Sequence, residues 1–343
     1  MTQYLNIFSK DDIQKYFSQR NGETKIGETI QCIQNKTNWI EELKTSTAKF
    51  VIIGIPEDIG VRANLGRRGA HSAFNAVLSS FLSMQDNQHL NANTCLLLGH
   101  IYVEDLMLSA ESLDSKHKEH IIQLRKLVEI IDERVFEVAK IIFQYHKIPI
   151  VIGGGHNNAY PLIKAASVAL SMPINAINCD AHSDLRIKEG RHSGNGFRYA
   201  IDEGFLYHYH ILGLHEQYTS RAVFEYIHSH SVTYYTYEDI FIREKISFSE
   251  ALKNSVFLVK ERYCGVELDV DAITNVPSSA RTSSGISPID ARKYIYTCSK
   301  LLNCVYLHLA EAAPETAHKR ADYKTGKLLA YLISDFIKGQ NEK

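Results

Sequence analysis

The segment INAINCDAHSD, residues 174–184, places Asp180, His182 and Asp184 on alternate positions directly after a short apolar run. Side chains along a strand repeat with a period of two, so this spacing puts all three on one face or one rim. Gathering such groups costs heavy desolvation unless something positive sits among them. The pattern recurs at other run ends. IPIVIGGG leads to His156, CGVEL leads to Asp269 and Asp271, and VYLHLA leads to Glu311.

The runs that carry these residues are continuously apolar rather than alternating, which marks strands buried on both faces. Helical patterns separate them, over 120–146, 160–170, 247–260, 287–302 and 324–339. Alternation of this kind specifies a three-layer α/β fold with a mostly parallel central sheet flanked by helices. In such sheets ligands bind outside the carboxyl ends of the strands, where the unusual residues fall. VTYYTYEDI (232–240) reads as strand material. No linker or repeat interrupts residues 49–343, which are expected to form a single catalytic domain. Residues 1–48, polar and weakly periodic, read as an N-terminal extension.

The formal net charge is −1 and basic runs are absent, which argues against nucleic acid or an anionic membrane as a partner. No apolar stretch reaches the roughly 18 residues of a membrane span. The N-terminus lacks the pattern of a secretion signal, and six cysteines are scattered without C-x-x-C spacing. Reduced thiols in a cytoplasmic protein are the expectation.

Carboxylates converging on one rim repel each other, and metal ions resolve the repulsion. His156, Asp180, His182, Asp184, Asp269 and Asp271 are too many ligands for a closed tetrahedral zinc site. They suit two borderline-hard divalent ions, Mn²⁺ before Zn²⁺. Divalent ions lower the pKa of water, so the chemistry implied is metal-assisted hydrolysis.

GGGHN, DAHSD and ELDVDAI, in this order, resemble the three metal-binding motifs of the ureohydrolase superfamily of arginase, agmatinase and formimidoylglutamase. The resemblance spans roughly residues 50–335 and implies the arginase/deacetylase-like fold with two Mn²⁺ per subunit. It places His156, Asp180, Asp184 and Asp269 on one metal. His182, Asp180, Asp269 and Asp271 fall on the other, with Asp180 and Asp269 bridging. Glu311, in HLAEAAP, matches the family's residue for the substrate's guanidinium or amidine. Asp184 would carry the proton to the leaving amine, with His192 as an alternative relay.

Two features are most similar to formimidoylglutamase: the loop EDIGVRANLGRRGA (57–70), and Leu-Arg rather than Ile-Asn after DAHSD. RHSGNGFR (191–198) is similar to the loop that supplies a catalytic His in arginase and agmatinase, and Ser193 stands at that position. The expected substrate is therefore N-formimino-L-glutamate, with Arg191, Ser193, Asn195, Arg198 and Arg281 as candidate contacts. The alternatives are hydrolysis of arginine, agmatine or a guanidino acid with release of urea, or a non-catalytic paralogue. Two departures stand out: GGGH replaces the usual GGDH, so Gly155 lacks a supporting Asp, and the Asp-Pro after the third motif is missing. Relatives commonly form homo-oligomers, and the same is expected here.

Overall fold

The computed structural model describes residues 4–316 and 323–343. Among these, ten strands form one sheet: β1 (Leu5–Ile7), β2 (Gln31–Cys32), β3 (Phe50–Gly54), β4 (Cys95–Ile101), β5 (Ile148–Ile152), β6 (Ile174–Cys179), β7 (Leu206–Leu214), β8 (Val232–Thr236), β9 (Cys264–Asp269) and β10 (Cys304–Ala310). Their order is β1-β4-β3-β5-β10-β9-β6-β7-β8, with β2 also on β4. Every pairing is parallel except that of β1 with β4.

The continuous apolar runs are explained by two cores, one on each face of the sheet. Phe50 and Ile52 of β3 face the helices Ala73–Leu82, Pro288–Leu301 and Tyr323–Asn341. Val51 and Ile53, pointing the other way, face Lys118–Gln144 and Ala159–Leu170. Each strand residue is thus covered whichever way it points. The helices begin where the sequence provides caps: the hydroxyls of Ser247 and Ser287 accept the N–H of Glu250 and Asp290.

Two elements differ from expectation. The VTYYTYEDI strand stops at Thr236, whose hydroxyl accepts the Asp239 N–H and caps a short helix, Tyr237–Phe241. Residues 4–48 are integrated into the sheet edge: β1 and β2 both pair with β4, and Ile26, Ile30, Trp39 and Leu43 are buried. No helix among the described residues is long and apolar enough to cross a membrane.

Candidate metal centre and cavity

Four adjacent central strands, β5, β10, β9 and β6, deliver the site from their carboxyl ends. His156 follows β5, Glu311 follows β10, Asp269 ends β9, and Asp180 follows β6. The period-two spacing has a local cause at two of these ends. Asp180 Oδ1 accepts the N–H of His182 at 2.7 Å, and Asp269 Oδ1 accepts that of Asp271 at 2.8 Å. In each turn the first carboxylate fixes the backbone two residues on. Its second oxygen stays directed at the centre.

The His156 Nδ1 atom is the focus of one group. It lies 3.2 Å from Asp180 Oδ2, 3.1 Å from Asp184 Oδ2 and 3.3 Å from Asp269 Oδ2. A second group joins Asp180, His182 and Asp271, with His182 Nδ1 3.1 Å from Asp271 Oδ2. Asp180 is common to both groups, whereas Asp269 gathers with the first. Asp184 and Glu311 hold left-handed backbone angles, φ 51° and 65°, which non-glycine residues seldom adopt. Strain of this kind is maintained where the surrounding structure fixes a functional side chain.

Electrostatics show what the cluster accepts. Burial, then Asp180, pushes Asp184 up to about 6. Burial, with repulsion from Asp271 and Asp184, pushes Glu311 up to about 7. Asp269 is raised well above the carboxylate range by burial, Asp271 and Asp180. Burial alone would lower His156 and His182, yet the surrounding carboxylates raise both. His156 Nδ1 is buried without a hydrogen bond of good geometry, as is Asp271 Oδ1. Crowded carboxylates, two imidazoles and orphaned buried donor atoms are the requirements of divalent cations, which relieve the repulsion and favour the ionised forms. The residues fit a pair of such ions.

The support expected from an Asp at position 155 comes from elsewhere. Glu57, after β3, accepts the N–H of Gly155 at 2.9 Å, the N–H of Gly60 at 3.0 Å and the amide of Asn158 at 2.8 Å. A Cβ on Gly154, whose φ is +73°, would lie 2.9 Å from Glu57 Oε1 and 2.3 Å from the Asn158 amide. Glycine is needed there for the loop to close on Glu57.

A sequence model of the arginase family matches residues 48–338. The chain belongs to the arginase family. It is 26% identical over 284 residues to the formimidoylglutamase of Macrococcus caseolyticus, which covers 82% of both chains. It is 26% identical over 302 residues to that of Staphylococcus aureus, covering 86% of this chain and 88% of the relative. In structure it is similar to the formimidoylglutamase of Bacillus subtilis, with a TM-score of 0.75 over 94% of each chain at 18% identity. It is also similar to the formiminoglutamase of Trypanosoma cruzi with Mn²⁺, with a TM-score of 0.69 at 19% identity, over 92% of this chain and 98% of that one.

In this arginase-family member the centre opens into a cavity of about 590 Å³. His182, Asp184, Asp269, Asp271 and Glu311 line it, together with Ser193, Arg186, Arg198, Tyr218 and Ser279. The Ser193 hydroxyl accepts the Asn64 amide at 3.3 Å. Arg198 reaches the lining while its Nε donates to Asp202 at 3.0 Å and its guanidinium lies over the Tyr226 ring.

Four of the residues nominated for substrate binding or proton relay stand apart from the cavity lining. Arg191 is buried, donating to Asp132 at 2.7 Å, Asn195 at 2.6 Å and the Asn157 carbonyl at 2.9 Å, between the rings of Tyr160 and Tyr199. Asn195 is equally enclosed and ties Arg191 to the Gly190 carbonyl. His192 is fully buried, and its Nδ1 accepts the Gly194 N–H. Burial, then Arg125, Arg186 and Arg191, pushes its pKa down to about 3, so it is an uncharged imidazole at neutral pH and lacks the second ring proton of an imidazolium acid. Arg281 is exposed and outside the lining. The loop 191–195 therefore braces the site from behind, and of its residues Ser193 and Gly194 reach the cavity lining.

Sequence reasoning passed over Arg186, which lies two residues beyond Asp184 in the same segment and lines the cavity. The signal was its place in DAHSDLR, on the loop that the ligands already fix.

Proposed function

We propose that this arginase-family hydrolase acts on the C–N bond of N-formimino-L-glutamate, with water, giving L-glutamate and formamide. The observation that carries this reading is the joint lining of one cavity by His182, Asp184, Asp269 and Asp271 of the ligand cluster, Glu311 and two arginines. Two Mn²⁺ ions are the cofactor this reading requires, held by His156, Asp180 and Asp184 with Asp269, and by Asp180, His182 and Asp271. Bound there, they would supply a water of lowered pKa, a nucleophile available at neutral pH.

The side chains divide the remaining work. Glu311 Oε1 is held by the His156 N–H and the Ser279 side chain also bears on the carboxylate, which leaves the buried Oε2 to pair with the cationic amidine. Arg186 and Arg198 bind the carboxylates of the glutamate moiety, a task suited to guanidinium donors. Asp184, which lines the cavity beside His156, takes up the proton of the attacking water and delivers it to the departing amine. Ser193 leaves room where a histidine would otherwise stand. Six cysteines without a disulfide support placing the enzyme in a reducing compartment such as the cytoplasm.

The test is product identification by ¹³C NMR. Mn²⁺-loaded protein is given N-formimino-L-glutamate labelled at the formimino carbon, and separately arginine, agmatine and guanidinobutyrate. The formamide carbon signal is expected from the first. Urea from a guanidine, with the first unchanged, would overturn the substrate assignment.

A further inference from the structure

A second polar cluster lies directly behind His156, enclosed by β9 and β10. Glu267 sits two residues before Asp269 on β9 and so shares its face. It is fully buried. Its Oε1 accepts the Tyr306 hydroxyl at 2.6 Å, and its Oε2 faces His308 Nδ1 at 2.7 Å. Both partners are on β10, where His308 is in direct register with Glu267. Gly265 makes this arrangement possible, because a Cβ there would meet the Tyr306 ring at 2.4 Å. The same Glu267 Oε2 is the carboxylate oxygen facing His156 Nε2, at 3.4 Å, an ion-pair distance without good hydrogen-bond geometry.

We propose that Glu267 is a positioning residue for the metal centre: it orients the His156 ring and holds the proton on Nε2, so that the Nδ1 lone pair is presented to the ion. This inference rests on the reading of His156 as a metal ligand. The argument is geometric. An imidazole ligand must offer one bare nitrogen, and the hydrogen bond made by the other nitrogen decides which it is. The two nitrogens of His156 face opposite ways. Nδ1 faces Asp180, Asp184 and Asp269, and Nε2 faces Glu267. With both other contacts of Glu267 coming from β10, its carboxylate cannot turn away from His156 without breaking them. Phe197 packs edge-on against the imidazole, with ring centres 5.2 Å apart, and restricts the remaining rotation. A buried carboxylate adds little to stability for its own sake, since well-packed apolar residues often serve as well or better. A role in ligand geometry accounts for one here.

The test measures Mn²⁺ binding to full-length Glu267→Gln by titration calorimetry and by electron paramagnetic resonance, with a thermal melt to establish folding. The glutamine keeps the shape but presents an N–H₂ to one of three donors. The expected result is a loss of roughly 10–100-fold in affinity for one of the two ions, the magnitude typical of such outer partners. The other ion, at His182 and Asp271, keeps its affinity within a few fold. Tyr306→Phe, which leaves the carboxylate facing His156, is expected to bind both ions nearly as the wild type does. If Glu267→Gln does not fold, Glu267→Asp carries the test: its carboxylate is drawn back from Nε2, and the same one-site loss is expected. A folded variant with a lowered melting temperature but unchanged affinity at both sites would overturn the proposal and leave Glu267 a packing residue. Wild-type protein that binds no Mn²⁺ would overturn the metal reading itself, a result distinct from the first.

Discussion

Glu311 Oε1 accepts the backbone N–H of His156 at 3.0 Å, so the residue proposed to meet the substrate is fixed to the backbone of a proposed metal ligand. The link spans the ends of neighbouring strands β5 and β10. Glu311→Gln keeps an oxygen for the His156 N–H but removes the charge that pairs with an amidine. Losing one partner of a buried charge pair costs about 3–4 kcal/mol, which corresponds to roughly 10²–10³-fold in kcat/KM. Steady-state kinetics on N-formimino-L-glutamate would show that loss, while Mn²⁺ affinity in calorimetry stays near that of the wild type.

Arg186 stands in the cavity lining and Arg281 outside it. Arg186 lines the cavity and is partly paired with Glu189 at 3.2 Å, whereas Arg281 is exposed outside the lining. Arg186→Met is expected to raise KM by roughly 10–100-fold, the range for a lost charge-assisted hydrogen bond of about 1.5–3 kcal/mol. Arg281→Ala is expected to leave KM within twofold. Equal effects of the two substitutions would remove Arg186 from substrate binding.

His192 provides the test in pH. Its folded-state pKa of about 3 lies below the ordinary value of 6.5. Between these values the unfolded chain binds a proton that the folded chain refuses. The contribution of this residue to stability is therefore complete above about pH 6.5 and is lost as the pH falls towards 3. From pH 7 to 5 the loss amounts to roughly 2 kcal/mol. His192→Asn can still accept the Gly194 N–H and does not titrate there. Denaturant melts at pH 7 and pH 5 are expected to show a correspondingly smaller acid loss in the variant. An identical loss in both proteins would show that His192 is not held neutral.

Much of the fold and the metal centre was legible in the sequence because both depend on short-range rules. Continuous apolar runs announce strands covered on both faces, and Asp180–His182 and Asp269–Asp271 announce turns at strand ends. β4 was missed: CLLLGHI ends in no ligand, and Gly99 interrupts it where the Asn6 carbonyl of β1 approaches closely. A three-residue strand such as β1 carries too little pattern to stand out. Arg191 and Asn195, candidate contacts by sequence, lie outside the cavity lining for a different reason. Loop arginines near a rim read as substrate contacts, but the partner that claims Arg191 is Asp132, 59 residues away on the helix Lys118–Gln144. Nothing local announces such a pairing.

That pairing makes its own prediction. Arg191→Met leaves Asp132 buried without its cation, and breaking a buried pair in this way costs about 3–5 kcal/mol. Denaturant unfolding is expected to register the full loss. KM for N-formimino-L-glutamate, measured well below the melting temperature, is expected to stay within threefold of the wild type. A large rise in KM with stability intact would return Arg191 to the substrate site.

The most direct measurement is a crystal structure of the Mn²⁺-loaded protein with L-glutamate, recorded at the manganese absorption edge. The account predicts two anomalous peaks, one among His156, Asp180, Asp184 and Asp269 and one among Asp180, His182 and Asp271, with the glutamate carboxylates on Arg186 and Arg198. No peak at either group, or glutamate bound with its carboxylates away from both arginines, would contradict it.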